Sequence, residues 1–219
     1  MEKMDHFFAA RVDGYDEHML NNVLGCKEGY IEMTKLVPRS CKSLLDLGCG
    51  TGLELDEILK VMPDIEITGI DLTQEMLDKL KEKHPNKSMH LICGSYFEVP
   101  FEAAKYDCII SFQTMHHFSH QAKIDLYKKI HQALTQGGVY IECDYMVESQ
   151  DEEDFYYAEN TRIRTELGIS ESEFYHYDTP CTINNQITML KSAGFSAVEQ
   201  TFRLENTTIL VAHKSYDNR

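Results

Sequence analysis

The chain has no Cys-x-x-Cys pair. Its seven cysteines, Cys26, Cys41, Cys49, Cys93, Cys108, Cys143 and Cys181, are spaced otherwise, so a zinc ribbon or a dithiol redox motif has no support. Positive charge is also scarce. The 21 Lys and Arg face 36 Asp and Glu, for a formal net charge of -15 and a pI near 5.0, which opposes binding to nucleic acid or an anionic membrane. No apolar run reaches the ~18 residues of a membrane-spanning helix, and the N-terminal stretch is charged where a signal peptide would be apolar. These absences predict a soluble, intracellular, cytoplasmic protein with no metal, in which an odd number of core thiols stays reduced. Nothing in the sequence sets an oligomeric state. What is present is ordinary globular composition, 42% hydrophobic and 26% charged over 219 residues, enough for one domain with a single core.

From residue 43 the chain alternates short apolar runs with amphipathic stretches, the pattern of a mostly parallel sheet covered by helices on both faces. Strands are expected at 43–47, 66–71, 89–93, 106–112 and 139–143. Leu55, Ile58, Leu59 and Met62 recur at helical spacing, and so do Leu72, Met76, Leu77 and Leu80 behind Thr73 as N-cap; Pro63 and Pro85 end these two helices. A third helix, 119–134, carries Leu126, Tyr127, Ile130, Ala133 and Leu134 on one side and is expected to stop at Gly137-Gly138. The rhythm then changes. A helix at 182–193 ends at Gly194 and is followed by two β-like runs, 195–202 and 207–213, close enough to pair antiparallel. Two parts are additional: an N-terminal helical cap (1–40), with Met19, Leu20, Val23 and Leu24 apolar, and an insertion at 147–178 rich in Asp, Glu and Tyr. In the insertion, Ser170 to Glu173 fits a capping box.

Chemistry concentrates at the C-terminal ends of the expected strands. Leu45-Asp46-Leu47-Gly48-Cys49-Gly50-Thr51-Gly52 lies between the first strand and a helix. Its glycines permit a tight turn and close approach of a ligand to amide groups at the helix start. A dinucleotide site would need glycine at position 53, which is Leu, so the nicotinamide spacing fails. Asp71 ends the second strand about 20 residues on, where an acid can accept hydrogen bonds from ribose hydroxyls. Leu72 and Met76 follow it, and Gly94-Ser95-Tyr96 follows the third strand. Gln113 and the pair His116-His117 follow the fourth. The two histidines invite a metal reading, but adjacent positions are expected to point apart and no third ligand is evident.

On these motifs the region 43–143 resembles the class I S-adenosylmethionine (SAM) dependent methyltransferases. His116-His117-Phe118 in particular resembles the small-molecule branch that includes ubiquinone/menaquinone-type enzymes. The resemblance implies an α/β, seven-stranded, mostly parallel doubly wound sheet of order 3-2-1-4-5-7-6, closed by an antiparallel hairpin within 182–214. It implies SAM as cofactor, with Asp46 near its amino-acid end, Gly48, Cys49, Gly50 and Gly52 in the turn, and Asp71 on the ribose. Leu72, Met76, Gly94, Ser95 and Tyr96 would lie around adenine, with Ser95 where the family commonly has an acid. Gln113 would flank the methionine moiety, and Tyr15-Asp16 would close over the cofactor.

The implied reaction is in-line methyl transfer to a small-molecule acceptor; the alternative is a catalytically inactive SAM-binding regulatory or interaction domain. If a base is needed, His116, His117, Asp144 and Tyr145 are the candidates. The 147–178 insertion would join the N-terminal helix as a lid, with Tyr156, Tyr157, Arg162, Arg164, Tyr175, His176 and Tyr177 available to line it.

Overall fold

The computed structural model describes residues 1–170 and 173–216. Three helices, α1 (Met4–Ala9), α2 (Val12–Asn21) and α3 (Cys26–Leu36), precede β1 (Ser43–Leu47). The chain then runs α4 (Leu53–Val61), β2 (Glu66–Asp71), α5 (Gln74–Lys83), β3 (His90–Cys93), β4 (Tyr106–Phe112), a single 3-10 turn (Met115–His117), α6 (His120–Ala133) and β5 (Leu134–Val147). The insertion contributes α7 (Gln150–Leu167), and the chain closes with β6 (Cys181–Thr182), α8 (Ile183–Ser192), β7 (Ala197–Leu204) and β8 (Thr207–His213). The sheet order is β3-β2-β1-β4-β5-β8-β7, with β6 paired to β5 outside that path. Apart from the two-residue β6 this is the expected seven-stranded order.

Side chains alternate across each strand, so a sheet covered on both sides needs apolar residues at successive positions. Leu45 and Leu47 join Ile70, Ile109 and Tyr140 in one buried cluster with Leu126 and Ile130 of α6 and Leu190 of α8. Leu44 joins Ile67, Cys108, Ile110 and Ile141 on the other face with Met33 of α3, Leu55 and Ile58 of α4 and Leu77 of α5. Among the described residues no helix is long and apolar enough to cross a membrane.

Three local expectations change. The third helix ends at Ala133 rather than at the glycines, because Leu134 is already extended (φ -69°, ψ 141°) and pairs with Tyr106; Gly137 and Gly138 lie inside β5, next to an irregularity in its pairing with β4. The Thr73 hydroxyl does not cap α5 but donates to Asp71. The capping-box run includes residues 171 and 172, outside the described residues; Ser170 N–H does donate to the Glu173 carboxylate at 3.1 Å.

Gly52 starts α4 with φ +77°, and a Cβ built there would lie 2.3 Å from Leu80 Cδ1. Leu80 is fully buried, so its methyl could clear that Cβ only by shifting against the packed core. Gly52→Ala therefore combines left-handed strain with overpacking and should lower stability by about 2–4 kcal/mol. The measurement is a urea unfolding midpoint; an unshifted midpoint would mean that the turn relaxes freely.

Candidate functional site

The glycine turn is tied to the end of β2. Gly48 and Cys49 N–H groups both donate to the Ile70 carbonyl, at 2.8 and 3.1 Å. The next residue, Asp71, accepts Gly50 N–H on Oδ2 (2.8 Å) and both the N–H and the hydroxyl of Thr73 on Oδ1 (2.9 Å each). Burial raises the Asp71 pKa and these bonds oppose the rise. A Cβ at Gly50 would meet nothing closer than Tyr15 Cε1 at 3.9 Å, so the outer surface of the turn stays open.

Tyr15, Gly48, Gly50, Asp71, Leu72, Met76, Gly94, Ser95, Tyr96 and Gln113 all border one narrow inner cavity. Asp46, Cys49 and Gly52 do not. Asp46 is fully buried behind the turn, where burial and then the adjacent Glu54 push its pKa well up; burial pushes Glu54 itself up to about 7. Cys49 packs its sulfur under β2, 2.8 Å from where a Gly69 Cβ would stand. These three residues shape the turn from behind because strand alternation and the helix start turn them inward.

A second, wider cavity of about 930 Å³ adjoins the first, and Phe8, Tyr15 and Gln113 border both. Gln113 adopts φ +51°, a strained conformation for a residue with a side chain; its amide donates to Thr207 Oγ1 at 3.3 Å. Asp16 accepts a short hydrogen bond from the Thr51 hydroxyl and pairs with Lys83 at 3.1 Å, which seats the Tyr15-Asp16 pair over the turn.

The outer cavity contains a polar cluster. His116 Nδ1 lies 2.6 Å from Asp144 Oδ1, and its Nε2 lies 3.6 Å from Asp178 Oδ1. His117 Nδ1 lies 3.4 Å from the same Asp178 oxygen. The 3-10 turn brings the two imidazoles to the same side, with ring centroids 4.0 Å apart, so the expectation that they diverge is corrected, as is the lack of a third partner. Burial alone would lower His116, but Asp144 and Asp178 outweigh it and raise its pKa. Burial, then the neighbouring His116, lowers His117. His176 is lowered by burial to about 4. For Asp178, burial works upward and the surrounding histidines more than reverse it. Tyr145, the remaining base candidate, shares this cavity and is bonded to Tyr156 at 3.1 Å between hydroxyls.

Asp178 was not singled out from the sequence, because its partners lie about 60 positions away in the chain. The His176-x-Asp178 spacing, which sets two side chains on one side of an extended segment, was the signal available. Strand β6 brings this segment back beside the end of β5, pairing Cys181 with Met146 and Thr182 with Val147.

The N-terminus and the insertion meet over both cavities. Lys3 and Tyr175 form an antiparallel bridge, and Met4 N–H donates to Phe174 O at 3.1 Å. Phe7 stacks on His176 with ring centroids 3.5 Å apart. Helix α7 contributes less than expected. Arg162 is spent on Glu159 and Glu166 along its own surface, and Arg164 holds the carbonyls of Ser170 and Glu173. Tyr157 donates to the Phe118 carbonyl at 3.0 Å and does not border either cavity. Tyr177 enters the cluster through its backbone, its carbonyl 3.4 Å from His117 Nδ1.

A methyltransferase-domain family model matches residues 44–138. Over those residues the chain is similar to a methyltransferase domain. It is 29% identical over 185 residues to a carboxy-S-adenosyl-L-methionine synthase of Helicobacter pylori strain G27, covering 78% of this chain and 75% of the relative. It is 27% identical over 200 residues to the synthase of that name from Trichodesmium erythraeum, covering 85% and 78%. Among solved structures, an O-methyltransferase family protein of Burkholderia thailandensis superposes with a TM-score of 0.71 at 15% identity, covering 99% of this chain and 64% of that one. Human N-acetylserotonin methyltransferase in complex with SAM gives 0.66 at 17%, covering 96% and 56%. The chain thus spans less than two thirds of these solved chains. The relatives speak for the family and not for its quinone-methylating branch.

The floor under the polar cluster is itself polar. Fully buried Glu142, two positions before Asp144 on β5, accepts from Tyr127 (2.7 Å) and Tyr140 (2.9 Å), and Gln186 forms a short bond to it. Burial, then Asp144, pushes its pKa up to about 7 from an ordinary 4.5. A raised acid binds a proton more tightly folded than unfolded, so this group costs stability progressively as pH rises from about 4.5 to 7. Glu142→Gln should remove that slope. The stability difference between variant and parent should move in the variant's favour across the window, as read from melting temperatures at stepped pH. A constant difference would show that Glu142 titrates normally.

Proposed function

We propose that the chain is an active SAM-dependent methyltransferase acting on a small molecule, with the cofactor in the inner cavity and the acceptor in the outer one. The observation that carries this is the shared wall. Tyr15 and Gln113 border both cavities, so a ligand on the Gly48–Gly50 turn and Asp71 would point its reactive end toward the His116 cluster. The residues fit the cofactor: the open face at Gly50 gives a nucleoside room against the backbone, and the Asp71 carboxylate, which accepts from Gly50 N–H and from the N–H and hydroxyl of Thr73, has room for one more donor. When bound, SAM supplies a sulfonium-activated methyl group. The protein's part is chiefly orientation, which can contribute about 7–11 kcal/mol when the reacting atoms are held in line. His116, fixed through Nδ1 by Asp144, presents Nε2 to the acceptor and positions its nucleophile. Met4, Phe8 and Phe174, which border the inner cavity, form with the 173–178 segment a lid that excludes water.

A cytoplasmic setting is supported by seven free cysteines. A second reading, formation of carboxy-S-adenosyl-L-methionine, draws on the two synthase relatives and on Arg11 bordering the outer cavity as a partner for a carboxylate. The deciding experiment is calorimetric titration with SAM, S-adenosylhomocysteine and NAD, followed by incubation of SAM with a metabolite extract and mass analysis. Transfer of a labelled methyl to an acceptor is expected. A carboxylated sulfonium would select the second reading, SAM binding without turnover would select an inactive domain, and NAD binding without SAM binding would overturn the assignment.

A further inference from the structure

The cluster in the outer cavity has an arrangement that hydrogen bonding does not explain. Asp178 Oδ1 is buried and has no hydrogen-bond partner, yet three imidazole nitrogens surround it: His117 Nδ1 at 3.4 Å, His116 Nε2 at 3.6 Å and His176 Nε2 at 4.0 Å. Those separations are long for N–H···O bonds. They match the edges of a coordination shell, since ligand atoms about 2.1 Å from a tetrahedral ion stand about 3.4 Å from one another. The ligand atoms of His116, His117 and Asp178 all lie within 4.8 Å of each other.

We infer that His116, His117 and Asp178 form a binding site for one divalent transition metal of the zinc type, open toward the outer cavity. Two imidazole nitrogens and one carboxylate oxygen are a donor set for such ions rather than for magnesium or calcium. Asp144 completes the arrangement from behind. It holds His116 Nδ1 at 2.6 Å, which fixes the ring with Nε2 turned inward, as outer carboxylates do for metal-bound histidines. For His117 to ligate through Nδ1, its proton sits on Nε2 and the 3.4 Å contact to the Tyr177 carbonyl is given up. The remaining position faces the cavity, where an anionic oxygen or sulfur of the acceptor would be held on the metal. That role rests on the methyl-transfer reading; the metal site does not.

A second grouping, His120, Glu153 and Cys181, provides the contrast. Its acidic and thiol atoms are already engaged, since Glu153 accepts from Thr182 N–H and Asn185 and Cys181 is bonded to Lys123 at 3.1 Å and Tyr157 at 3.3 Å, while His120 Nε2 lies 2.7 Å from Glu153 Oε1.

The test is titration of the chelator-stripped, tag-free chain with Co²⁺ in the absence of SAM, read by visible absorption, with Zn²⁺ competition by calorimetry. One equivalent is expected to bind with d–d bands of a low-coordinate nitrogen–oxygen site, and Zn²⁺ is expected to displace it. Asp178→Ala and His117→Ala should each weaken binding at least tenfold, Asp144→Asn about 10–100-fold, and His120→Ala not at all. Each variant is also titrated with SAM, so that retained SAM affinity shows a folded chain and separates failure of the metal site from failure of the methyltransferase reading. No stoichiometric Co²⁺ binding, or binding indifferent to Asp178→Ala, would show an ion-pair cluster only and overturn the inference. Loss in His120→Ala alone would do the same.

Discussion

Asp71→Ala should raise the dissociation constant for SAM by about 5- to 150-fold, the equivalent of about 1–3 kcal/mol for a lost buried hydrogen-bond partner. A carboxylate has about four lone-pair positions. Three are taken in the folded chain, by Gly50 N–H and by the N–H and hydroxyl of Thr73. One is left for a ligand hydroxyl, and a second opens only if the turn yields a donor. The variant removes that bond and also releases the Gly50 amide, so the glycine turn loses its tether to β2. Asp71→Asn should be nearly as damaging, because an amide nitrogen placed toward Gly50 sets donor against donor. Calorimetry with SAM and S-adenosylhomocysteine separates the sites of action. Equal losses place the effect on the nucleoside, whereas a larger loss for SAM would place it on the sulfonium charge. Unchanged affinity for both would remove Asp71 from the cofactor site.

The same residue shows what the sequence makes legible. An acid ending a strand about 20 positions after a glycine turn is fixed by chain geometry, so Asp71, Gly48 and Gly50 could be placed together before any coordinates. The strands were readable for a related reason, since a doubly covered sheet demands unbroken apolar runs such as those of β1 and β4. Strand order was not, because periodicity records burial and not neighbours. Where Asp46 and Cys49 point was not legible, because a motif gives proximity without direction; both are buried and border neither cavity. The polar cluster was half visible. His116 and His117 stood out as a pair, but Asp178 joins them only through β6, a two-residue strand too short for any pattern. Arg162 and Arg164 looked available for a pocket and are instead consumed by pairing along α7 and by tying down the segment after it, interactions that helical spacing of Glu159 and Glu166 could have suggested.

His116→Asn is expected to lower turnover about a hundredfold or more while leaving SAM affinity within about twofold, because a nucleophile misplaced by about 1 Å can cost that much. Asparagine can still donate toward Asp144 from roughly the place of Nδ1, but it deletes Nε2, the atom through which the acceptor is held either directly or by way of a metal. The choice of variant matters. His116→Ala would leave Asp144, only 1% exposed, as an unpaired buried charge, at a cost of about 3–5 kcal/mol that could unfold the chain and obscure any kinetic effect. The pH dependence supplies an independent reading. Burial lowers and Asp144 with Asp178 raises the His116 pKa, with the increase prevailing. Stability from a raised histidine is fully present below its unfolded value near 6.5 and is lost as pH climbs through the folded one. The stability gap between parent and His116→Asn should therefore be widest at pH 6 and below and should close as the solution becomes alkaline. Turnover preserved in this variant would move the acceptor's anchor to another group in the outer cavity, Tyr145 first among them.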